Sequence, residues 1–291
     1  MYERVFERSS VLYGQDALVL GQLPSTAGTA PRFLEVACAT GEFALTAAAR
    51  GFNVTATDFS PGMIARLNAK IASGAYDHLK ISTRVVDGQT LDGFEDANFD
   101  VVGSLFGVFM FPDRPTTWRS VWRVLKPGGR LVFTSWDANT SIVRMSAYVL
   151  DHAANKPDIL APDHPMAGGP SPRFATETFR EELQDAGFQN VHIHSVGHPM
   201  CFHSGQEFVE GTLDNVVFKS MGGYKQPASL QRCVLDYAQL VLDGVDPFGD
   251  EARASAAANA QKTAQSHPLW DQPFAMPTFG HVVVATKPLQ K

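Results

Sequence analysis

Leu34-Glu35-Val36-Ala37-Cys38-Ala39-Thr40-Gly41-Glu42-Phe43 packs a strand, a tight turn of small residues and a helix start into one stretch. Phe33 to Cys38 is a short apolar run suited to a buried strand, and the Ala-rich segment from Glu42 to Arg50 is helical, with Gly51 placed to end it. Small residues in the turn let a ligand approach the backbone and the exposed N–H groups of the helix N-terminus.

Outward from this turn, the chain alternates. Asn53 to Thr57 reads as a second strand ending at Asp58. Ser60-Pro61-Gly62 opens a helix with proline in its first turn, and Met63, Ile64, Leu67 and Ile71 form its apolar stripe. Lys80 to Val86 is a third strand, ending at Asp87-Gly88, and Phe99 to Gly103 is a fourth. Trp118, Val121, Trp122 and Leu125 mark a helix, and Lys126-Pro127-Gly128-Gly129 turns the chain into a fifth strand, Arg130 to Ser135. Strands alternating with helices predict an α/β fold, a mostly parallel sheet with helices on both faces. Three strand ends, at the turn, Asp58 and Asp87, then converge on the crevice where open α/β sheets bind ligands.

A dinucleotide fold wants G-x-G-x-x-G, which here would fall on Ala37, Ala39 and Glu42, so the last glycine is missing. Glu42 would also sit in the first helical turn, where a pyrophosphate needs positive potential. With Glu35 in the same turn, the charge suits a cationic ligand. The segment resembles the E/D-x-G-x-G-x-G signature of class I S-adenosylmethionine (SAM)-dependent methyltransferases, with Glu35, Ala37, Ala39 and Gly41 at its four positions. Asp58 matches that family's ribose carboxylate and Asp87-Gly88 its adenine-edge motif. Arg123 to Gly129 resembles its turn before the fifth strand, and Phe174 to Phe188 resembles a helix and strand of small-molecule methyltransferases related to quinone-biosynthesis enzymes.

The resemblance implies a Rossmann-like seven-stranded sheet in the order 3-2-1-4-5-7-6 and SAM as cofactor. The implied cofactor-binding residues are Glu35, Ala37, Ala39, Gly41, Asp58, Phe59, Asp87, Gly88 and Ser104. The family usually has glycine where this chain has Ala37 and Ala39, and alanine disfavours positive φ. Either the turn avoids positive φ, or the methyls tighten the pocket. Four regions are expected: an N-terminal helix and linker at 1–31 serving as a lid, the SAM-binding domain at 32–204, a helical cap insert at 205–262, and a last strand within 263–291.

The acceptor side is less informative. By family position, the apolar run Ser104 to Pro112 lines it, giving Phe106, Phe109, Trp136 and, from the insert, Phe208 as pocket residues. Tyr2, Phe6 and Tyr13 are lid candidates. Methyl transfer is an in-line displacement to which the protein supplies positioning and sometimes a base. Histidines concentrate between 152 and 203, and a base is sought among His152, His198 and His203. His192 and His194 share one strand face, but no C-x-x-C or H-E-x-x-H accompanies them, so no metal is assigned.

Composition narrows the classes. A net charge of −6 argues against nucleic acid as a partner. Three cysteines without C-x-x-C spacing suit a reducing compartment, and the N-terminus has no apolar signal core, so a cytoplasmic location is expected. No apolar run is long enough to span a membrane. The reading is a SAM-dependent methyltransferase acting on a small molecule, with the oligomeric state open and a homodimer among its options. A non-catalytic SAM-fold subunit, a SAM-fold enzyme with other chemistry, and a nicotinamide-dependent oxidoreductase remain as alternatives.

Overall fold

The computed structural model describes residues 2–24, 28–141, 143–145, 148–149, 175–213, 228–259 and 262–289. Its elements run α1 (Tyr2–Leu20), β1 (Arg32–Val36), α2 (Glu42–Ala49), β2 (Asn53–Asp58), α3 (Pro61–Ile71), β3 (Ile81–Val85) and β4 (Phe99–Ser104). A 3-10 turn (Val108–Met110), α4 (Arg114–Val124), β5 (Leu125–Trp136), α5 (Thr176–Asp185) and β6 (Gln189–Phe202) follow. The chain ends with α6 (Gly205–Leu213), α7 (Ala228–Leu242), α8 (Asp250–Asn259) and β7 (Phe274–Thr286).

The sheet order is β3-β2-β1-β4-β5-β7-β6, as the resemblance implied. β1 pairs in parallel with β2 and β4, β2 with β3, and β4 with β5, whereas β7 lies antiparallel to β5. β1, central, is buried after Arg32, with Glu35 the one charged side chain inside it, while the edge strand β3 is half-buried to exposed along its length.

Several elements differ from the sequence reading. The first helix starts at Tyr2, not near residue 10. The strand ladder already begins at Leu125, opposite Phe99, and the Lys126–Gly129 turn forms an irregularity inside β5. There, Gly128 takes φ +79° and exchanges backbone hydrogen bonds with Lys287 through Gly128 N–H and Gly129 C=O, each 2.9 Å. The expected helix over 205–220 is described only to Leu213, and the rest of it lies outside the described residues.

The chain divides into two compact units. One comprises residues 10–136, 173–196 and 280–291 and contains most of the sheet. Its core joins Phe33, Phe43, Val54, Leu67, Val101 and Val132, and Phe33 meets the rings of Phe43 and Phe52 edge-on at 5.3 and 5.6 Å. The other comprises residues 1–9, 137–172 and 197–279, as far as they are described, and holds the helices between β6 and β7. No described helix is long and apolar enough to cross a membrane.

Candidate cofactor site

The register of the sheet brings the carboxyl ends of three strands level. Glu35 lies opposite Ala56 of β2 and Gly103 of β4, so the Ala37–Gly41 turn, Asp58 and Ser104 leave the sheet at one edge. Val86 N–H donates to the Asp58 carbonyl at 3.0 Å, which sets Asp87 and Gly88 just beyond the same edge.

The turn takes the unfavourable conformation: Ala37 has φ +56°, Ala39 +47° and Gly41 +90°. The left-handed region disfavours alanine, so the alternative that this turn avoids positive φ is overturned. Two features hold it. Ala39 N–H donates to Asp58 Oδ2 at 2.9 Å, and Cys38 N–H donates to the Thr57 carbonyl at 2.8 Å. The Ala37 methyl is accommodated across the turn, because a Cβ on Gly107 would come within 2.6 Å of it. The extra methyl at 37 is thus matched by a missing side chain at 107. Gly41 is itself closed to any side chain, since a Cβ there would meet Leu67 at 2.3 Å.

Asp58 is buried and pins two segments. Its Oδ2 holds the turn, and its Oδ1 accepts from Ser60 N–H at 2.9 Å ahead of α3. Phe59 beside it is 76% exposed, an unusual placement for phenylalanine, and leaves a ring surface at the rim of the crevice. Asp87 is exposed and accepts from Gln89 N–H at 2.8 Å. Gly88 is buried, and a Cβ there would come within 2.8 Å of both Val36 and Phe111.

Glu35 and its surroundings mark the place as built for a ligand. Among the described residues, the buried atoms Glu35 Oε2, Thr40 Oγ1 and Ser104 Oγ have no hydrogen-bond partner. Orphaned buried polar atoms are uncommon in folded proteins and call for a partner. Burial pushes the Glu35 carboxyl well above the usual carboxylate range. A backbone hydrogen bond from Ala44 opposes that shift, and the charges of Asp58 and Glu42 add to it. A cationic group would reverse the penalty, so these residues fit SAM, whose sulfonium is positive. Thr40 gave no signal in the sequence, because a threonine in a small-residue turn reads equally as a turn former. Glu42, read as part of the acidic character of the crevice, is instead paired with Lys70 at 3.0 Å. Burial, with Glu35 and Asp58 beside it, pushes the Cys38 thiol up, which argues against a thiolate nucleophile.

Phe106 and Trp136 stack at 3.9 Å between centroids, and Tyr13 meets them edge-on at 5.0 and 5.6 Å. Phe106 has φ +53°, held by its N–H donating to Thr134 Oγ1 at 2.8 Å. Tyr13 is fully buried, a core residue joining α1 to the ends of β4 and β5. The side chains of Tyr2 and Phe6 lie outside the described residues. Phe109 is buried in the 3-10 turn.

Phe208 belongs to the other unit, buried against Phe202 and Phe274 at 4.7 and 5.4 Å, so it is a packing residue there. His152 lies outside the described residues. The His198 carbonyl accepts from Thr278 Oγ1, and exposed His203 approaches Glu207 at 3.1 Å. Neither histidine lies in the unit that carries the strand-end site. No cluster of three or more potential metal ligands occurs among the described residues.

A strained small-residue turn pinned by a strand-end carboxylate, with orphaned polar atoms beneath it, makes a candidate nucleotide site on a Rossmann-like sheet. The comparisons name the kind: residues 34–133 match the methyltransferase domain family Methyltransf_11. An uncharacterized protein of Mycobacterium tuberculosis is 33% identical over 129 residues, 44% of this chain and 46% of that protein. The ubiquinone/menaquinone biosynthesis C-methyltransferase of Geotalea daltonii is 36% identical over 104 residues, 35% of this chain and 43% of that enzyme. Each match therefore spans less than half the length of these curated relatives. Among solved structures, a Haemonchus contortus phosphoethanolamine N-methyltransferase bound to S-adenosylhomocysteine superposes with a TM-score of 0.52. That match, at 16% identity, covers 95% of this chain and 52% of the other, and shows a shared fold.

Proposed function

We propose that this chain is a SAM-dependent methyltransferase that methylates a small-molecule acceptor. The observation that carries the reading is the set of buried, unpartnered oxygens on Glu35, Thr40 and Ser104 around a turn locked open by Asp58. When bound, SAM supplies an electrophilic methyl group on a sulfonium. Asp58 is proposed to accept from the ribose hydroxyls with the lone pairs its backbone partners leave free. Asp87 and the Gly88 N–H read the adenine edge, and Phe59 offers its exposed ring to the base. Ala37, Ala39 and Gly41 bring backbone close to the amino-acid end of the cofactor, and Glu35 places a carboxylate beneath it.

Phe106, Phe109 and Trp136 wall the acceptor side and exclude water, so the chain acts mainly by orientation. No histidine is needed in this reading. Isothermal titration with SAM, S-adenosylhomocysteine and NAD tests it. The expected order is both SAM-type ligands binding well ahead of NAD, and tighter binding of NAD would sink it.

A further inference from the structure

The helical unit contains a cavity of about 430 Å³, lined in part by Tyr237, Val241, Val245, Pro277 and Phe279. Its walls combine rings and branched apolar side chains with the polar residues Asn139 and Ser141, and none of them belongs to the cofactor site. Its charged element is a single ion pair: Arg144 donates to Asp246 at 3.0 Å. Both members are held in place. The Arg144 guanidinium lies 5.0 Å from the centroid of the Phe248 ring, and Asp246 Oδ1 also accepts from Phe248 N–H at 3.3 Å. The Tyr237 hydroxyl, by contrast, is spent on the Ser141 carbonyl at 2.8 Å and only contributes its ring.

An ion pair presents a donor and an acceptor side by side with no net charge. A guanidinium has five N–H donors, and a carboxylate has about four lone-pair sites. A hydroxyl group is the simplest complement, because it accepts from one and donates to the other. A carboxylate ligand would gain the Arg144 bond but meet Asp246 as a like charge, and a purely apolar ligand would leave the pair unread. The volume is of the size that holds small organic ligands.

We propose that this cavity binds a neutral, ring-bearing alcohol or phenol, its hydroxyl held between Arg144 and Asp246. This site is separate from the acceptor side proposed above, and binding to it does not depend on that function. Binding is therefore measured without SAM, so that failure here is distinguishable from failure of the methyltransferase reading.

The probes are 2-naphthol, 2-naphthoate and naphthalene, followed by equilibrium dialysis on the full chain. The expected result is 2-naphthol binding about tenfold more tightly than naphthalene, the worth of one or two hydrogen bonds. Naphthoate should be weaker than naphthol. Asp246→Asn then provides a sign reversal. It removes the like charge and leaves Arg144 unneutralised, so naphthoate should tighten about tenfold while naphthol weakens a few-fold. Asp246 is largely exposed, so the variant should retain its melting temperature. Equal binding of naphthol and naphthalene would overturn the proposal, as would a naphthoate affinity that Asp246→Asn leaves unchanged.

Discussion

At the residue scale, Asp58 does two jobs with one carboxylate. It pins Ala39 and Ser60, and in the proposed function it holds the ribose. Hydrogen bonds to charged groups are worth about 1.5–3 kcal/mol each. Asp58→Ala should therefore lower both the melting temperature and cofactor affinity, the latter by about 30- to 150-fold. Titration with S-adenosylhomocysteine well below the melting transition separates the two effects, and a less stable variant with unchanged affinity would leave Asp58 a structural residue only. Ala39 is the converse case. Its positive φ costs about 1 kcal/mol, while glycine would add chain entropy to the unfolded state, so Ala39→Gly should range from neutral to about 1 kcal/mol more stable in denaturant titrations. Glu35 makes stability depend on pH. Its carboxyl is pushed up in the fold, so the unfolded chain ionises first. Below the unfolded value near 4.5 both states are protonated and nothing is lost. As pH rises through that value, stability falls, until the folded carboxyl ionises too. Glu35→Gln should therefore raise the melting temperature at pH 8 and leave it little changed near pH 4.

At the scale of elements, long-range polar ties hold helices to the sheet unit. Glu182 of α5 accepts from Arg114 Nε at 3.0 Å and from Trp118 Nε1 at 2.8 Å, both on α4. Lys287 follows β7, donates to the carbonyls of Trp122 and Leu125 at 2.8 and 2.7 Å, and lies over the Trp122 ring. The end of a helix leaves carbonyls that need donors and favours a cation. Lys287→Met should cost about 2–4 kcal/mol, because it leaves buried carbonyls unpaired. Chemical denaturation measures this, and a cost below about 0.5 kcal/mol would mean that water replaces the amine. Such ties are hard to read in a sequence: the residues stand up to 165 positions apart, and nothing in their local pattern names the partner.

At the scale of the molecule, the two units make separable predictions. Phe208 is buried among Phe202 and Phe274, so Phe208→Ala should destabilise its unit by about 3–5 kcal/mol and leave SAM affinity of the folded protein unchanged. Two thermal transitions, with only the earlier one moved, would be the clearest form of that result. A fall in SAM affinity matching the stability loss would contradict it.

The alternation of strand and helix from residue 32 to 136, and hence the parallel sheet, was legible in the sequence, because hydrophobic period and turn residues are local signals. So were Asp58, Asp87 and the small-residue turn, since each ends an element or lies between two. Only the folded chain decided the rest. The left-handed alanines depend on the Asp58 bond and on the space at Gly107, which are set by neighbouring strands. The pairing of Glu42 with Lys70, the burial of Tyr13 and the orphaned Thr40 hydroxyl arise from contacts between distant segments. Local propensity names the elements and their ends; which side chains meet, and which stay unpartnered, is settled by packing.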